Sequence, residues 1–370
     1  MNPFKYGQVV NGNDFCPRPK LIKIIKSFIK SGQNIYVQGE RRIGKTSLIM
    51  EAIHSCRGKR VYYVDLLEIK TTASLCQRLA KALISFEQQN GVIEKILKSL
   101  SQLKPTIGFD TLTGTPTISI DPAIKFTPDS LNGLLDMLFD IHKKRNIVVV
   151  IDEFQDILNL RDSKEALAIF RSKIQFHSSL PYIFSGSIRN KMFDIFNNPE
   201  SAFFKSAIPV HVCELDHQYF TKFLKDKFAL GKRKITEKTI TKIFNITDNI
   251  SGDVQQLCMA LWDTTSYNEK ITEYNIPSAL KLIFARESKG YEHILVQITD
   301  QQLKCLVGLA KKGGKSPQSA EFLSIAGISL PASVKKALNR LEQLKIVYRY
   351  ENEYKFINSF FKSWLIFKNL

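Results

Sequence analysis

The 370-residue chain is 44% hydrophobic and 24% charged, which excludes a disordered or collagen-like polymer and leaves room for two or three domains. Its aliphatic run from Ile147 to Ile151 suits a buried strand and is far too short for a bilayer span, so no membrane partner is expected. The formal net charge of +18 points toward anionic ligands, nucleotides and nucleic acids among them.

The excess charge is uneven: residues 301–370 hold 12 Lys and Arg against 4 Asp and Glu, residues 1–60 hold 12 against 3, and residues 101–200 hold 11 against 12. Six cysteines are scattered with no CxxC pair, and the opening MNPFKYGQVVNGNDF has no apolar stretch behind a basic one. Free thiols, no signal peptide and a cytoplasmic setting are the expectation.

In chain order, Lys20 to Lys30 predicts an amphipathic helix, with Leu21, Ile24, Ile25 and Phe28 on one face and lysines on the other. Asn34 to Gln38 reads as a strand running into Gly39, and Lys45 to Cys56 as a helix. A strand over 60–66, a helix over 72–88 and an inserted hairpin over 105–120 around Gly114 come next. A helix over 130–144 leads to the apolar strand that ends at Asp152-Glu153. A helix over 164–175 and strands over 182–185 and 208–213 complete an alternation typical of a parallel sheet covered on both faces. After Glu214 the strands stop, and 217–285 reads as helical.

The stretch GERRIGKTSL (39–48) has the G-x-x-x-x-G-K-T spacing of a phosphate loop. Gly39 and Gly44 let the backbone turn tightly enough for the amides of residues 42–47 to converge on phosphate oxygens. The helix opening at Lys45 turns its positive dipole end toward the anion. Lys45 is expected on the β- and γ-oxygens and Thr46 on Mg²⁺. Glu40, Arg41, Arg42, Ile43 and Ser47 complete the loop around the nucleotide. In VVVIDEFQD, Asp152 stands at the carboxyl edge of a buried strand, where it supports the metal together with Thr46. The next residue, Glu153, is placed to orient and deprotonate an attacking water. Ser187, at the end of YIFSGS, is a candidate sensor beside the γ-phosphate. No NKxD element for guanine is present, so adenine is preferred by elimination.

Together with FCPRPK (15–20) and YIFSGSIRNKM, these motifs resemble the STAND-class ATPases of the MNS branch, relatives of the AAA+ ATPases, over nearly the whole chain. The resemblance implies a three-layer P-loop NTPase core of the ASCE type with a parallel sheet, a helical lid and a C-terminal winged helix. It further implies a switch that binds ATP or ADP with Mg²⁺ and hydrolyses slowly, and a nucleotide-box role for Arg18. Two positions depart from the pattern. The lid segment Ser251-Gly252-Asp253-Val254-Gln255 has glutamine where AAA+ relatives carry arginine, and Lys205 stands where an arginine is common. Arg41, Arg42, Arg171 and Arg189 are the available substitutes.

The last seventy residues predict helices over 299–309 and 316–325, then a third capped by Ser329, followed by two strands, IVYRY and EYKFI. That is a winged helix-turn-helix pattern. Val334, Ala337, Leu338 and Leu341 face inward. Lys335, Lys336, Asn339 and Arg340 face out and are candidate contacts to duplex DNA. The domain division is 1–214 for the ATPase core, 215–296 for the lid and 297–370 for the winged helix. The functional expectation is a switch ATPase. An ATP-licensed DNA-binding regulator and a nucleotide-bound scaffold for a protein partner, or for self-association, remain as alternatives.

Overall fold

A computed structural model describes residues 1–88, 105–109, 116–120, 128–187, 189–350 and 352–368. The chain divides into two compact units, Val9–Glu214 and Met1–Gln8 with Leu215–Leu370.

The first unit is built on five parallel strands: β1 (Ile35–Gly39), β2 (Arg60–Asp65), β5 (Ile147–Asp152), β6 (Tyr182–Gly186) and β7 (Ile208–Val212). They lie in the order β2-β5-β6-β1-β7. Strand periodicity sorts the core into two layers. Ile147, Val149 and Ile151 join Tyr62, Val64, Tyr182 and Phe184 on one face. Val148 and Val150 join Ile35, Val37, Ile183 and Val210 on the other. Helices α1 (Pro19–Lys30) and α2 (Lys45–His54) cover the second face through Ile25, Ile29, Leu48, Ile49 and Ile53. Helices α3 (Thr72–Gln88), α4 (Pro128–Arg145) and α5 (Ser163–Ile174) cover the first face with Leu75, Leu79, Leu131, Leu135 and Phe170. Complete burial of each such side chain contributes about 1.5–3 kcal/mol, so a strand buried on both faces must be apolar throughout. The run IVVVID meets that condition, with all six residues buried.

The expected insertion is an antiparallel pair, β3 (Pro105–Phe109) and β4 (Pro116–Ile120), with Ile107 opposite Ile118. Its turn at Gly114 lies outside the described residues. One short helix, α6 (Arg189–Phe196), had not been anticipated.

In the second unit, helices α7 (His217–Ala229), α8 (Glu237–Ile246), α9 (Ser251–Thr264) and α10 (Ile276–Val296) follow one another. The reading that strands stop after Glu214 needs correction. Two-residue strands β8 (Lys234–Ile235) and β9 (Lys270–Ile271) pair in parallel, too short to leave a period in the sequence. The C-terminal module is α11 (Asp300–Lys312), α12 (Ala320–Ala326), α13 (Pro331–Gln343), the antiparallel ribbon β10 (Val347–Tyr350) with β11 (Glu353–Phe356), and α14 (Ser359–Phe367). Thr299 and Gln302 form a capping box on α11, and Ser319 caps α12. Ser329 does not cap α13. Leu330 holds the cap position with no side-chain bond, and Pro331 at the first helical position starts the helix instead, since its fixed φ suits that site and its missing N–H is not needed there.

Helix α14 is fastened to the helices before it. Phe361 and Trp364 pack against Tyr291 of α10. Ser359 Oγ donates to buried Asp253 Oδ2 of α9 at 2.6 Å, and Lys362 pairs with Asp248 at 3.3 Å. The aromatic ending therefore closes a core. Among the described residues, no helix is long and apolar enough to cross a membrane.

Candidate nucleotide-binding site

Because β6 lies between β1 and β5, the carboxyl ends of three strands present their following residues side by side. Gly39 ends β1, Asp152 ends β5 and Gly186 ends β6. Ligands of open parallel sheets bind at such carboxyl edges, next to the strand where the order reverses.

The loop leaving β1 turns at Arg42 and at Gly44, whose φ angles are 61° and 89°. Glycine adopts that region without cost, and Arg42 is held in it by the turn. Gly44 caps α2, and Lys45 is the first helical residue, so the unpaired amides and the positive end of α2 face the loop. Lys45 is buried, and its Nζ donates to the carbonyls of Gly39 at 3.2 Å and Glu40 at 2.9 Å. Burial pulls the Lys45 ammonium below its ordinary pKa, and the carboxylates of Glu153 and Asp152 oppose that shift.

Thr46 Oγ1 donates to Asp152 Oδ2 at 2.7 Å. The same oxygen accepts from Tyr63 Oη at 3.0 Å. Asp65 and Asp152 are register partners in β2 and β5, which carries the Tyr63 strand to the Asp152 carboxylate. Glu153 has φ 49° and ψ 39°, so the strand stops there and its side chain leaves the sheet. Its carboxylate Oε2 accepts from Ser187 Oγ at 2.9 Å and from the Gln155 side-chain amide.

Arg18 sits under the loop. Its Nη1 donates to Cys213 O at 2.6 Å and its Nη2 to Ile43 O at 2.9 Å. Burial lowers this guanidinium to a pKa of about 10, offset by Cys16 and Cys213, so it stays charged at neutral pH. Arg18 thus holds the loop backbone against the end of β7. Ser47 acts similarly: its Oγ accepts the Val10 amide at 3.1 Å. Ile43 is a buried apolar anchor, while the side chains of Arg41 and Arg42 are exposed.

Other expected residues lie in different surroundings. Lys205 is exposed, with its Nζ 5.2 Å from the Phe204 ring centroid. The side chain of Arg189 falls outside the described residues, and that of Arg171 is half-buried. In the second unit Gln255 is buried, and its Oε1 has no hydrogen-bond partner. Arg233 of that unit is also buried; it stacks 3.8 Å over Trp262 and donates to the carbonyls of Trp262, Thr265 and Ser266. Lys335, Lys336, Asn339 and Arg340 are all exposed on α13. Tyr63 and Gln155 had not been singled out from sequence. Their only signal was proximity to the ends of two strands whose adjacency depends on the sheet order.

The donors present fit a magnesium nucleotide. A hydroxyl and a carboxylate held 2.7 Å apart supply the hard oxygens Mg²⁺ prefers. The left-handed turn before α2 leaves helix amides for an anion. All six cysteines are free. Burial raises the thiol pKa of Cys16, Cys76 and Cys305 to about 12 in each case, which favours the protonated form.

Residues 29–190 match a family model described as an AAA domain, and residues 289–366 match one described as a probable winged helix domain. Among solved structures, the chain is similar to the Walker-type ATPase paby2304 of Pyrococcus abyssi, with 19% identity, a TM-score of 0.67 and coverage of 98% of this chain and 99% of that one. It is also similar to the Orc1 protein of Aeropyrum pernix in complex with DNA, with 9% identity, a TM-score of 0.53 and coverage of 97% and 96%. No curated protein matches the sequence. The chain carries an AAA domain in a P-loop NTPase fold, a helical region after it, and a winged helix domain.

Proposed function

We propose that the protein is a Mg²⁺-dependent switch ATPase of the STAND class, MNS branch, that converts ATP and water to ADP and phosphate. The observation that carries this reading is the Thr46–Asp152 contact at 2.7 Å, together with the Glu153–Ser187 hydrogen bond. Loop amides of residues 42–47 and Lys45 bind the β- and γ-phosphates. Mg²⁺ held by Thr46 and Asp152 neutralises phosphate charge when bound. Glu153 accepts a proton from water as the water oxygen bonds to the γ-phosphorus and the bond to the β–γ bridging oxygen breaks. Glu153 then returns its proton to solvent, phosphate and ADP leave, and Ser187, hydrogen-bonded to that carboxylate, registers the change. Glu153 and Lys45 thereby act on the reacting groups, and Ser187 reports on them.

The proposed domain division is an ATPase core (1–214), a lid (215–296) and a winged helix (297–370). ATP favours one lid and winged-helix arrangement and ADP another, by population shift. Glutamine at 255, where AAA+ relatives carry arginine, has no fixed positive charge, which supports slow turnover, below ~1 s⁻¹ at the low end of the enzyme range.

A second reading, ATP-licensed binding to duplex DNA, is favoured by the exposed Lys335, Lys336, Asn339 and Arg340 on α13. The Aeropyrum pernix protein of similar fold was solved with DNA. Steady-state phosphate release with and without duplex DNA separates the readings. A low, Mg²⁺-dependent rate unchanged by DNA is expected of a switch ATPase. Strong stimulation or suppression by DNA favours the regulator, and ATP binding without measurable release returns the chain to a nucleotide-bound scaffold.

A further inference from the structure

The motif VVVIDEFQD contains a residue that neither the metal nor the phosphates require. Gln155 is 2% exposed, among the aromatic and aliphatic side chains that follow β5. Its Nε2 donates to Glu153 Oε2, while its Oε1 is buried with no hydrogen-bond partner. A buried amide carbonyl without a donor lowers stability, so an apolar side chain would suit this pocket better on packing grounds alone. The neighbouring strand end is shaped around the amide: a Cβ added at Gly186 would lie 2.5 Å from Gln155 Oε1 and 2.5 Å from Met192 Sδ.

Resting on the reading of Glu153 as the base, we infer that Gln155 is a positioning residue that fixes the Glu153 carboxylate. Two donors, Gln155 Nε2 from the turn after β5 and Ser187 Oγ from the residue after β6, meet on the same oxygen, Oε2. The backbone is fixed as well, because the Glu153 amide donates to Asp152 Oδ1 at 3.0 Å. With Oε2 engaged twice, Oε1 is the oxygen that takes the proton from water. The orientation of the Gln155 amide follows from the same contact, since its carbonyl would repel the carboxylate if the group were turned over. The orphaned Oε1 is the cost of keeping Nε2 on Glu153, and Gly186 provides the room for it. Gln155 touches neither metal nor phosphate in this scheme; it acts through Glu153.

The test compares Gln155→Met and Gln155→Leu, which fill the pocket without a donor, with Glu153→Gln in the full-length protein. Readouts are kcat and KM for ATP hydrolysis, the affinity for a fluorescent ATP analogue, and the thermal midpoint. Loss of one of two donors should lower kcat about tenfold, a part of the 10²–10⁴ that a general base supplies. KM and analogue affinity should stay within about twofold, and the midpoint should hold or rise as the unpaired carbonyl is removed. An unchanged or higher kcat would overturn the inference. So would a kcat loss accompanied by a lower midpoint or weaker analogue binding, which marks a packing role. Failure of both apolar variants to fold would equally assign Gln155 to the core. Parent-like turnover in Glu153→Gln would remove the base itself, and this inference with it. Lost turnover in Glu153→Gln beside parent-like kcat in Gln155→Met removes only the role given to Gln155.

Discussion

The strand ends of the first unit and the third helix of the winged module are both rich in ionisable side chains, yet they use them differently. Lys45, Asp152 and Arg18 are buried and each has named partners, those of Lys45 within its own loop and those of Asp152 and Arg18 far away in sequence. Lys335, Lys336 and Arg340 are exposed on one helical face. Buried charges are desolvated, so every partner matters and removal of one group is felt strongly. Exposed charges are hydrated and screened, so each contributes little and their effect is collective. The difference predicts which substitutions abolish a function and which only tune it.

The largest effect should come from Lys45→Ala. It removes a buried ammonium from the proposed phosphate site, and the loss of charge-assisted hydrogen bonds should weaken ATP binding by about 100-fold or more. Isothermal titration checks this, and near-parental affinity would mean the lysine does not face the phosphates. A smaller effect, on stability, should come from Ser359→Ala. The substitution removes a donor from the buried Asp253 carboxylate, at a cost of about 1–3 kcal/mol. A lower thermal midpoint with parental ATP affinity would show that the contact holds the second unit together. Weakened ATP binding would tie it to the nucleotide site instead.

The smallest effect per residue belongs to α13. If the helix lies on duplex DNA, each phosphate contact contributes about −0.9 to the slope of log affinity against log salt. Replacing Lys336 and Arg340 with alanine together should flatten that slope by roughly 2, alike for all sequences, with DNA-free ATPase activity retained. Duplex binding that is absent at low salt, or unchanged in the double variant, would return the module to protein contacts.

The same division governs what could be read from the sequence. The phosphate loop is a local requirement of backbone shape, so Gly39, Gly44, Lys45 and Thr46 announce themselves within eight residues. The strand from Ile147 to Asp152 is buried on both faces, and such a strand must be continuously apolar. Tyr63 and Gln155 were illegible because their roles depend on strand order. Tyr63 reaches Asp152 across 89 residues of chain, and Gln155 matters only because β6 delivers Ser187 and Gly186 beside it. Arg18 was placed at the nucleotide by its motif, whereas its guanidinium is bound to the Ile43 and Cys213 carbonyls. The link from Asp253 to Ser359 spans 106 positions and left no periodic trace. The two-residue strands β8 and β9 are illegible for the opposite reason: they are too short to carry a pattern.

The central claim is that the strand-end cluster hydrolyses ATP with Glu153 as the base, and the Glu153→Gln variant tests it most directly. The substitution keeps the size of the side chain and removes its ability to take a proton. Incubated with radiolabelled ATP and Mg²⁺, the variant should bind ATP as tightly as the parent and retain it uncleaved, with phosphate release reduced by about 10²–10⁴, the range general-base catalysis supplies. Phosphate release at the parental rate would contradict the account.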